Sequence, residues 1–243
     1  MAGHSHWAGI KHKKGRADKE RSKIFSKLSR EITVAAKLGD KDPDMNPRLR
    51  TAIQAAKQSN MPKDNIARAI SKSEMNGDKN YENLRYEGFG TSNVAFIIET
   101  LTDNKNRSAS SIRTVLQKNG GRLGESGSVT HMFSNCGIIQ FEKNKISEED
   151  AFEIAINAGA KDCKNLQEDF EIITEKEDFY KIKTEIEKKI DTFSFSAIEW
   201  RAINYVDLNR EQGDKILEIL NALEELDDVQ NIFTNANLEK IQT

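Results

Sequence analysis

The apolar residues of the first 76 positions recur at helical spacing in three stretches. The first stretch begins near Asp18, keeps its apolar side chains on one helical face and stops at Gly39, because glycine commonly ends helices. That face consists of Ile24, Phe25, Leu28, Ile32 and Ala35. Pro47 and Pro62 each occupy the first position expected of a further helix. Three helices joined by short loops predict a small helical bundle that ends near residue 76.

After a polar linker at residues 77–83, strand-like and helical stretches follow one another along the chain. The predicted strands cover residues 94–101, 128–133, 137–141, 161–164, 170–174, 193–200, 202–207 and 229–233. The predicted helices cover residues 107–118, 147–159, 177–190 and 211–226. The pattern therefore predicts mixed α and β structure after the bundle.

The order of these elements indicates two similar units, one inside the other. The middle set has the order β-α-β-β-α-β of a ferredoxin-like unit, and the flanking elements together make a second one. We therefore predict an α+β fold in which an N-terminal three-helix bundle with a basic flexible tail is followed by two ferredoxin-like α+β domains, one inserted in the other. The predicted domains are residues 1–76, a discontinuous domain of residues 84–134 with 204–238, and an inserted domain of residues 135–203.

Charge divides the chain into a basic and an acidic part, although the formal net charge is only −2. Residues 1–76 contain 17 Lys or Arg and 8 Asp or Glu, whereas residues 77–243 contain 20 and 31. Such asymmetry predicts a basic module that binds a polyanion. The acidic part either contacts a different partner or simply favours solubility.

The basic charge is concentrated in the first thirty residues, which hold nine Lys or Arg and two acids, a formal charge of +7. No apolar periodicity is present up to Arg16, so this tail has no face to bury and stays extended until an opposite charge orders it. Nucleic acid supplies such charge densely, and Trp7 offers a ring on which a base can stack. The predicted nucleic-acid-binding residues of this region are His4, His6, Trp7, Lys11, His12, Lys13, Lys14, Arg16, Lys19, Arg21, Lys23 and Lys27.

Two loops in the second part of the chain have the composition of phosphate-binding turns. Asn104, Lys105, Asn106 and Arg107 lie between a predicted strand and the start of a predicted helix, where they either bind phosphate or cap the helix. We include these four residues among the predicted nucleic-acid contacts. The glycine-rich segment 120–128 matches neither a Walker loop nor a dinucleotide fingerprint, so a structural turn is the favoured interpretation.

The residues that could carry other chemistry do not form recognisable sites. His131 and Cys136 lack a third partner for nucleophilic catalysis, and the tail histidines have no Cys or carboxylate nearby to complete a zinc site. We therefore predict a non-enzyme with no catalytic residues, no metal and no cofactor. Two cysteines favour a reducing compartment, and no apolar run reaches the length of a membrane span. A cytoplasmic monomer without a membrane partner is expected.

Long segments of the chain resemble the YebC/PmpR family, relatives of the mitochondrial translational activator of cytochrome oxidase subunit one. The segments that carry the resemblance are residues 2–25, 46–70, 86–90 (YEGFG), 101–113 and 120–133. One departure is His6, where the family usually has Lys, and it makes the charge of the tail depend on pH.

The resemblance implies a three-domain, mostly cytoplasmic, non-enzymatic protein. Some members are described as transcriptional regulators that bind promoter DNA, and others as ribosome-associated translation factors that relieve stalling, including at proline-rich stretches. The residues themselves predict nucleic-acid binding and lean toward RNA, because an extended Lys-rich tail suits the irregular surface of folded RNA. We therefore predict a regulator of gene expression that binds nucleic acid, of the type described as a DNA-binding transcriptional regulator. The alternative is a ribosome-associated translation factor that binds ribosomal or transfer RNA, and the second alternative is an acidic scaffold that docks a basic protein.

Overall fold

A computed structural model describes residues 17–75 and 81–238, so the tail before Ala17 lies outside the described residues. The N-terminal helices are α1 (Ala17–Leu38), α2 (Pro47–Gln58) and α3 (Lys63–Met75). Their shared core includes Ile32, Leu49 and Ile66. The predicted helices at the N-terminus are therefore confirmed.

Asn46 explains why α1 and α2 can be joined by so short a connection. Its side-chain oxygen accepts a hydrogen bond from the Leu49 amide at 3.1 Å, which caps α2, and Pro47 follows at the first helical position. Its side-chain nitrogen donates to the Ala35 carbonyl at 2.9 Å, near the end of α1. One buried amide thus satisfies backbone groups of both helices.

Residues 81–238 form a mixed α+β structure. Its strands are β1 (Glu82–Phe89), β2 (Ala95–Thr102), β3 (Arg122–Leu123), β4 (Phe133–Glu142), β5 (Asp162–Asn165), β6 (Asp169–Glu175), β7 (Phe195–Ala202) and β8 (Val229–Thr234). Its helices are α4 (Lys105–Lys118), α5 (Glu148–Ala158), α6 (Phe179–Glu187) and α7 (Arg210–Glu224).

The strands form two antiparallel sheets of four, which we call sheet A and sheet B. Sheet A has the order β3-β1-β2-β8, and sheet B has the order β5-β6-β4-β7. The predicted α+β class is confirmed by this arrangement. Sheet B is built from consecutive strands, whereas β8 joins sheet A only after the chain has passed through sheet B. The exact domain boundaries stay predictions.

Three details of the predicted strands are wrong. The predicted linker 77–83 overlaps β1, which the pattern missed because charged and amide side chains interrupt its apolar positions. Residues 130–132 form a short 3₁₀ turn rather than a strand, and the loop before them is held by a buried carboxylate instead of a strand partner. Residues 203–207 are irregular, with a single bridge from Val206 to Ala236.

Apolar packing joins the two sheets. One face of sheet A is covered by α4 and α7, and its other face contributes Ile97 and Phe233 to a core shared with Phe133 and Trp200 of sheet B. The Trp200 indole nitrogen donates to a Glu99 carboxylate oxygen at 3.0 Å. The Arg85 guanidinium lies 4.9 Å from the centre of the Trp200 ring. The junction therefore combines apolar burial with oriented polar contacts.

Sheet B also contains a buried charged cluster. Arg201 donates to Glu171 at 2.8 Å and lies 3.4 Å from Glu199, and Gln140 donates to Glu171 at 2.7 Å. Burial raises the pKa of Glu199 to about 7, even though Arg201 attracts its charged form. Glu199 therefore opposes folding increasingly as the pH rises from its ordinary value of 4.5 toward 7.

Replacing Glu199 by Gln is expected to stabilise the protein by about 1–2 kcal/mol at about pH 8 and to have little effect near pH 5. The reason is that the wild-type carboxyl must lose its proton in a buried site at high pH, whereas the amide does not ionise. Urea unfolding of both proteins across this pH range measures the difference. A constant difference between the two proteins would contradict the assignment.

Candidate nucleic-acid interface

Most of the predicted tail contacts lie outside the described residues. These are His4, His6, Trp7, Lys11, His12, Lys13, Lys14 and Arg16. Lys19 belongs to α1, where only its backbone is described. The charged tail thus leads directly into α1, which continues its Lys and Arg residues on a rigid element.

The basic residues of α1 meet two different environments. Arg21, near the tail, is exposed to solvent. Lys23 is half-buried and forms an ion pair with Glu225, and Lys27 is also half-buried. Arg30, three residues further, donates to the Leu101 carbonyl at 3.2 Å and to the Asp227 carbonyl at 2.8 Å. The part of α1 nearest the tail is therefore the more accessible to a polyanion.

Arg30 belongs to a cluster of donors around Asp228, the residue before β8. The Asp228 carboxylate accepts from Arg107 at 2.8 Å, Ser108 at 2.7 Å and Thr102 at 3.1 Å, and Arg30 approaches it at 3.3 Å. Burial alone would raise the pKa of Asp228, but the hydrogen bonds from Arg107 and Ser108 outweigh it, so the pKa lies below its ordinary value. We call this group the Asp228 cluster, and it fastens α1 to sheet A.

A cavity of about 460 Å³ opens beside the Asp228 cluster. Arg30, Tyr81 and Arg107 line it, and the Arg30 guanidinium lies 5.9 Å from the centre of the Tyr81 ring. Its walls also include three carboxylates, those of Asp103, Asp227 and Asp228. The carboxylates outnumber the guanidinium groups, so the cavity does not favour a phosphate.

The four predicted contacts at the start of α4 also differ in whether the protein itself already engages their side chains. Asn104 caps the helix, since its side-chain oxygen accepts from the Arg107 amide at 3.0 Å. The Arg107 guanidinium is shared between Asp103 and Asp228, both at 2.8 Å. Lys105 and Asn106 are exposed. For all four, contact with nucleic acid stays a prediction, and the ion pairs make Arg107 the weakest candidate.

The glycine amides of the glycine-rich segment are occupied within the chain itself, those of Gly120, Gly121 and Gly124 by backbone carbonyls and that of Gly127 by a carboxylate. The buried Glu87 of β1 accepts hydrogen bonds from the amides of Gly127 at 2.9 Å, Val129 at 2.7 Å and Thr130 at 3.0 Å. The Thr130 hydroxyl donates to the same carboxylate at 2.7 Å. Because these donors already bind an anion, the loop is a structural turn, as the sequence favoured, and has no free nest for a phosphate.

Comparison with known proteins decides the family. A model of the TACO1/YebC protein N-terminal domain matches residues 5–76, and a model of the TACO1/YebC second and third domain matches residues 81–236. The chain belongs to the TACO1/YebC family. The resemblance seen in the sequence is thereby confirmed, and it extends over both the helical and the α+β parts.

Two relatives match this family member over nearly the whole chain. A protein of Pelagibacter ubique (strain HTCC1062), named a probable transcriptional regulatory protein, is 55% identical over 239 residues, which are 98% of this chain and 99% of the relative. A crystal structure of a conserved hypothetical protein from Aquifex aeolicus has 44% identity and a TM-score of 0.82, and the match covers 96% of both chains. The name of the Pelagibacter relative describes that protein as a probable regulator of transcription.

The Asp228 cluster leads to a stability prediction. Replacing Asp228 by Ala is expected to lower the free energy of unfolding by about 2–3 kcal/mol, because Arg30, Arg107 and Ser108 lose a shared acceptor. The matched control is Asp227→Ala, since Asp227 is exposed and offers Arg30 only its backbone carbonyl. Urea unfolding at neutral pH measures both variants. Equal effects of the two substitutions would contradict the role of the cluster.

Three residues that hold this region together, Arg30, Glu87 and Asp228, were not among the predicted site residues. Nothing in the local sequence pattern around Glu87 or Asp228 indicated their contacts. Among residues 17–75 and 81–238, no group of three His, Cys, Asp or Glu is placed to hold a metal ion. The same residues include no helix that is both long and apolar enough to cross a membrane.

Proposed function

We propose that this TACO1/YebC family member is a non-enzymatic regulator of gene expression that acts by binding RNA. The observation that carries the proposal is the segregation of charge. The first thirty residues, which comprise the tail and the start of α1, carry a formal charge of +7, and Arg21 in this part of α1 is exposed, whereas residues 77–243 are acidic. An extended basic segment binds a phosphate backbone by releasing its counterions.

RNA is favoured over duplex DNA because α3, the third helix of the bundle, does not present a suitable reading face. Sequence-specific DNA binding by three-helix units places a helix in the major groove, between two walls of phosphates. The exposed face of α3 carries Asp64 and Glu74 beside its basic residues, and Arg68 is held by the Asp64 carbonyl at 3.2 Å and by Asn65. An extended tail does not need a groove of fixed width and can follow irregular RNA.

The Pelagibacter relative is named a probable transcriptional regulatory protein, so DNA is the alternative target. The proposal includes a cytoplasmic monomer without catalytic residues, metal or cofactor. Binding to either RNA or DNA is consistent with a regulator of gene expression, but RNA binding would act at translation and DNA binding at transcription. Association with ribosomal particles supports translation, and association with chromosomal DNA supports transcription.

Sedimentation of a cell lysate through a sucrose gradient separates these possibilities. We expect the protein to co-sediment with ribosomal particles at low salt and to move to the top of the gradient at about 0.5 M salt, because contacts to phosphate weaken as salt rises. Ribonuclease treatment should release it as well. If the protein instead resists ribonuclease and is released by deoxyribonuclease, the target is DNA.

A further inference from the structure

A second cationic surface lies far from the tail in sequence, within the acidic part of the chain. Residues 104–124 contain five Lys or Arg and no Asp or Glu. Residues 77–243 as a whole contain 31 acids, so an acid-free run of this length stands out. The run covers helix α4, the turn after it and strand β3.

The exposed side of α4 combines cations with neutral hydrogen-bonding side chains. Its inner side is buried in the core of sheet A through Ile112 and Leu116. The outer positions that carry the argument are all exposed, namely Asn106, Ser110, Arg113, Thr114, Gln117 and Lys118. Arg113 and Lys118 lie five residues apart, so they flank the outer face on two sides with the neutral side chains between them.

The cations of this face are not neutralised within the protein. In the part of the chain that the structure describes, no carboxylate forms an ion pair with Arg113 or Lys118. Arg107, by contrast, is engaged by Asp103 and Asp228. The positive charge of the α4 face therefore remains available to an outside anion.

Arg122, the next cation along the chain, faces the other side of sheet A. It follows Gly120 and Gly121 and lies in β3 at the edge of sheet A, paired with Phe89 of β1. Its guanidinium lies 4.6 Å from the centre of the Phe89 ring, which holds the group in one orientation. Phe89 packs with Ile97 and Phe233 on the face of sheet A opposite to α4, so Arg122 does not belong to the outer face of the helix.

The tight turn between α4 and β3 needs its glycines. Gly120 has a φ of +76°, in the left-handed region that favours glycine. At Gly121 a Cβ would lie 2.5 Å from the Phe89 carbonyl oxygen, so only glycine lets the turn pack against β1. The turn thus fixes the position of Arg122 relative to the helix.

We propose that the outer face of α4 is a second RNA-binding surface that contacts the phosphate backbone. We call it the α4 surface. The inference rests on the proposed function, and it adds a folded contact to the one made by the tail. Cations with Ser, Thr, Asn and Gln between them are the side chains that contact phosphate and sugar oxygens. The outer face carries no aromatic side chain for base stacking, so it binds without sequence preference.

Helix α5 on sheet B shows that this composition is not a general property of the helices. It contains four acids and no Lys or Arg, and its Glu148, Glu149 and Asp150 lie in the first turn. A polyanion that approaches α4 is therefore repelled from α5. The opposite charges of the two helices orient the protein on RNA.

The test is charge reversal on the α4 surface with the tail left intact. The variant is Arg113→Glu with Lys118→Glu, and the matched control is Lys181→Glu with Lys189→Glu, which changes the net charge equally at exposed positions in α6 and just after it. The probe is a fluorescently labelled RNA hairpin of roughly 30 nucleotides with single-stranded ends, and binding is measured by anisotropy at several salt concentrations.

We expect the α4 variant to bind at least about tenfold more weakly at about 0.1 M salt, with a salt slope smaller by roughly 1.5, while the control stays near the wild type. A neutral variant, Arg113→Gln with Lys118→Gln, should show a smaller loss in the same direction, and circular dichroism verifies that each variant is folded. If wild type binds and the α4 variants match the control, the α4 surface is refuted and the tail-based function stands. If wild-type protein does not bind the hairpin, the proposed function fails together with the inference.

Discussion

Neutralising the tail is expected to weaken RNA binding on the order of a hundredfold or more at about 0.1 M salt. The variant replaces Lys11, Lys13, Lys14 and Arg16 by Gln. Each lost phosphate contact removes one released counterion, so the slope of log affinity against log salt should fall by roughly 3. Anisotropy titrations with an RNA hairpin at several salt concentrations measure both quantities.

The control for the tail variant changes four exposed lysines between residues 164 and 189, far from the tail in sequence. Lys164, Lys176, Lys181 and Lys189 are replaced by Gln, which alters the net charge equally. Binding by this control should stay within a few fold of wild type if the position of the charge matters. Equal losses in the two variants would mean that overall charge governs binding, and the tail would lose its special role.

Removing the Glu87 carboxylate is expected to lower the free energy of unfolding by about 3–5 kcal/mol. In Glu87→Ala, the amides of Gly127, Val129 and Thr130 and the Thr130 hydroxyl all lose their acceptor in a buried site. Glu87→Gln keeps one acceptor oxygen and should lose less. Urea unfolding at neutral pH measures the two variants, and a loss below about 1 kcal/mol for the alanine variant would contradict the account.

The effect of Glu87 should also depend on pH. Burial alone would raise the pKa of this carboxyl, but the hydrogen bonds from Thr130, Val129 and Gly127 outweigh it, so the pKa lies below its ordinary value of 4.5. A carboxyl with a lowered pKa stabilises the folded state above its ordinary pKa and loses this effect as the pH falls through the folded value. The difference in stability between wild type and Glu87→Gln should therefore shrink under acidic conditions.

The parts of the fold that sequence could predict are those with local signals. Asn46 and Pro47 mark the start of α2 by capping chemistry, and the buried positions of α4 follow from helical spacing. Strand β1 lacked such a signal because Glu82, Arg85 and Glu87 interrupt its apolar residues. Its place in the sheet comes from long-range pairing with β2, which a local pattern does not contain.

Only part of the candidate interface could be predicted from the sequence, for the same reason. The charge of the tail is a property of consecutive residues and could be read directly from the sequence. The hydrogen bond from Arg30 to Asp228 joins residues 198 positions apart, so no local sequence pattern could predict it. The role of the glycine-rich segment was likewise clear only from the structure, because Glu87, whose carboxylate accepts from the Gly127 amide, lies about 40 residues earlier.

These contacts assign different tasks to residues that look alike in the sequence. Arg30 and Arg107 hold α1 and α4 to the start of β8 through Asp228. Arg113, Lys118 and Arg122 are cations without such partners among the described residues. Two of the arginines thus assemble the fold, whereas these three cations form no ion pair within the described residues.

The central claim, that the protein binds RNA through its tail, is tested most directly by ultraviolet crosslinking in cells. The attached nucleic acid is purified and sequenced for wild type and for a deletion of residues 2–16. We predict crosslinks concentrated on ribosomal or transfer RNA that are lost in the deletion. Crosslinks at discrete chromosomal sites, or no difference between the two proteins, would contradict the claim.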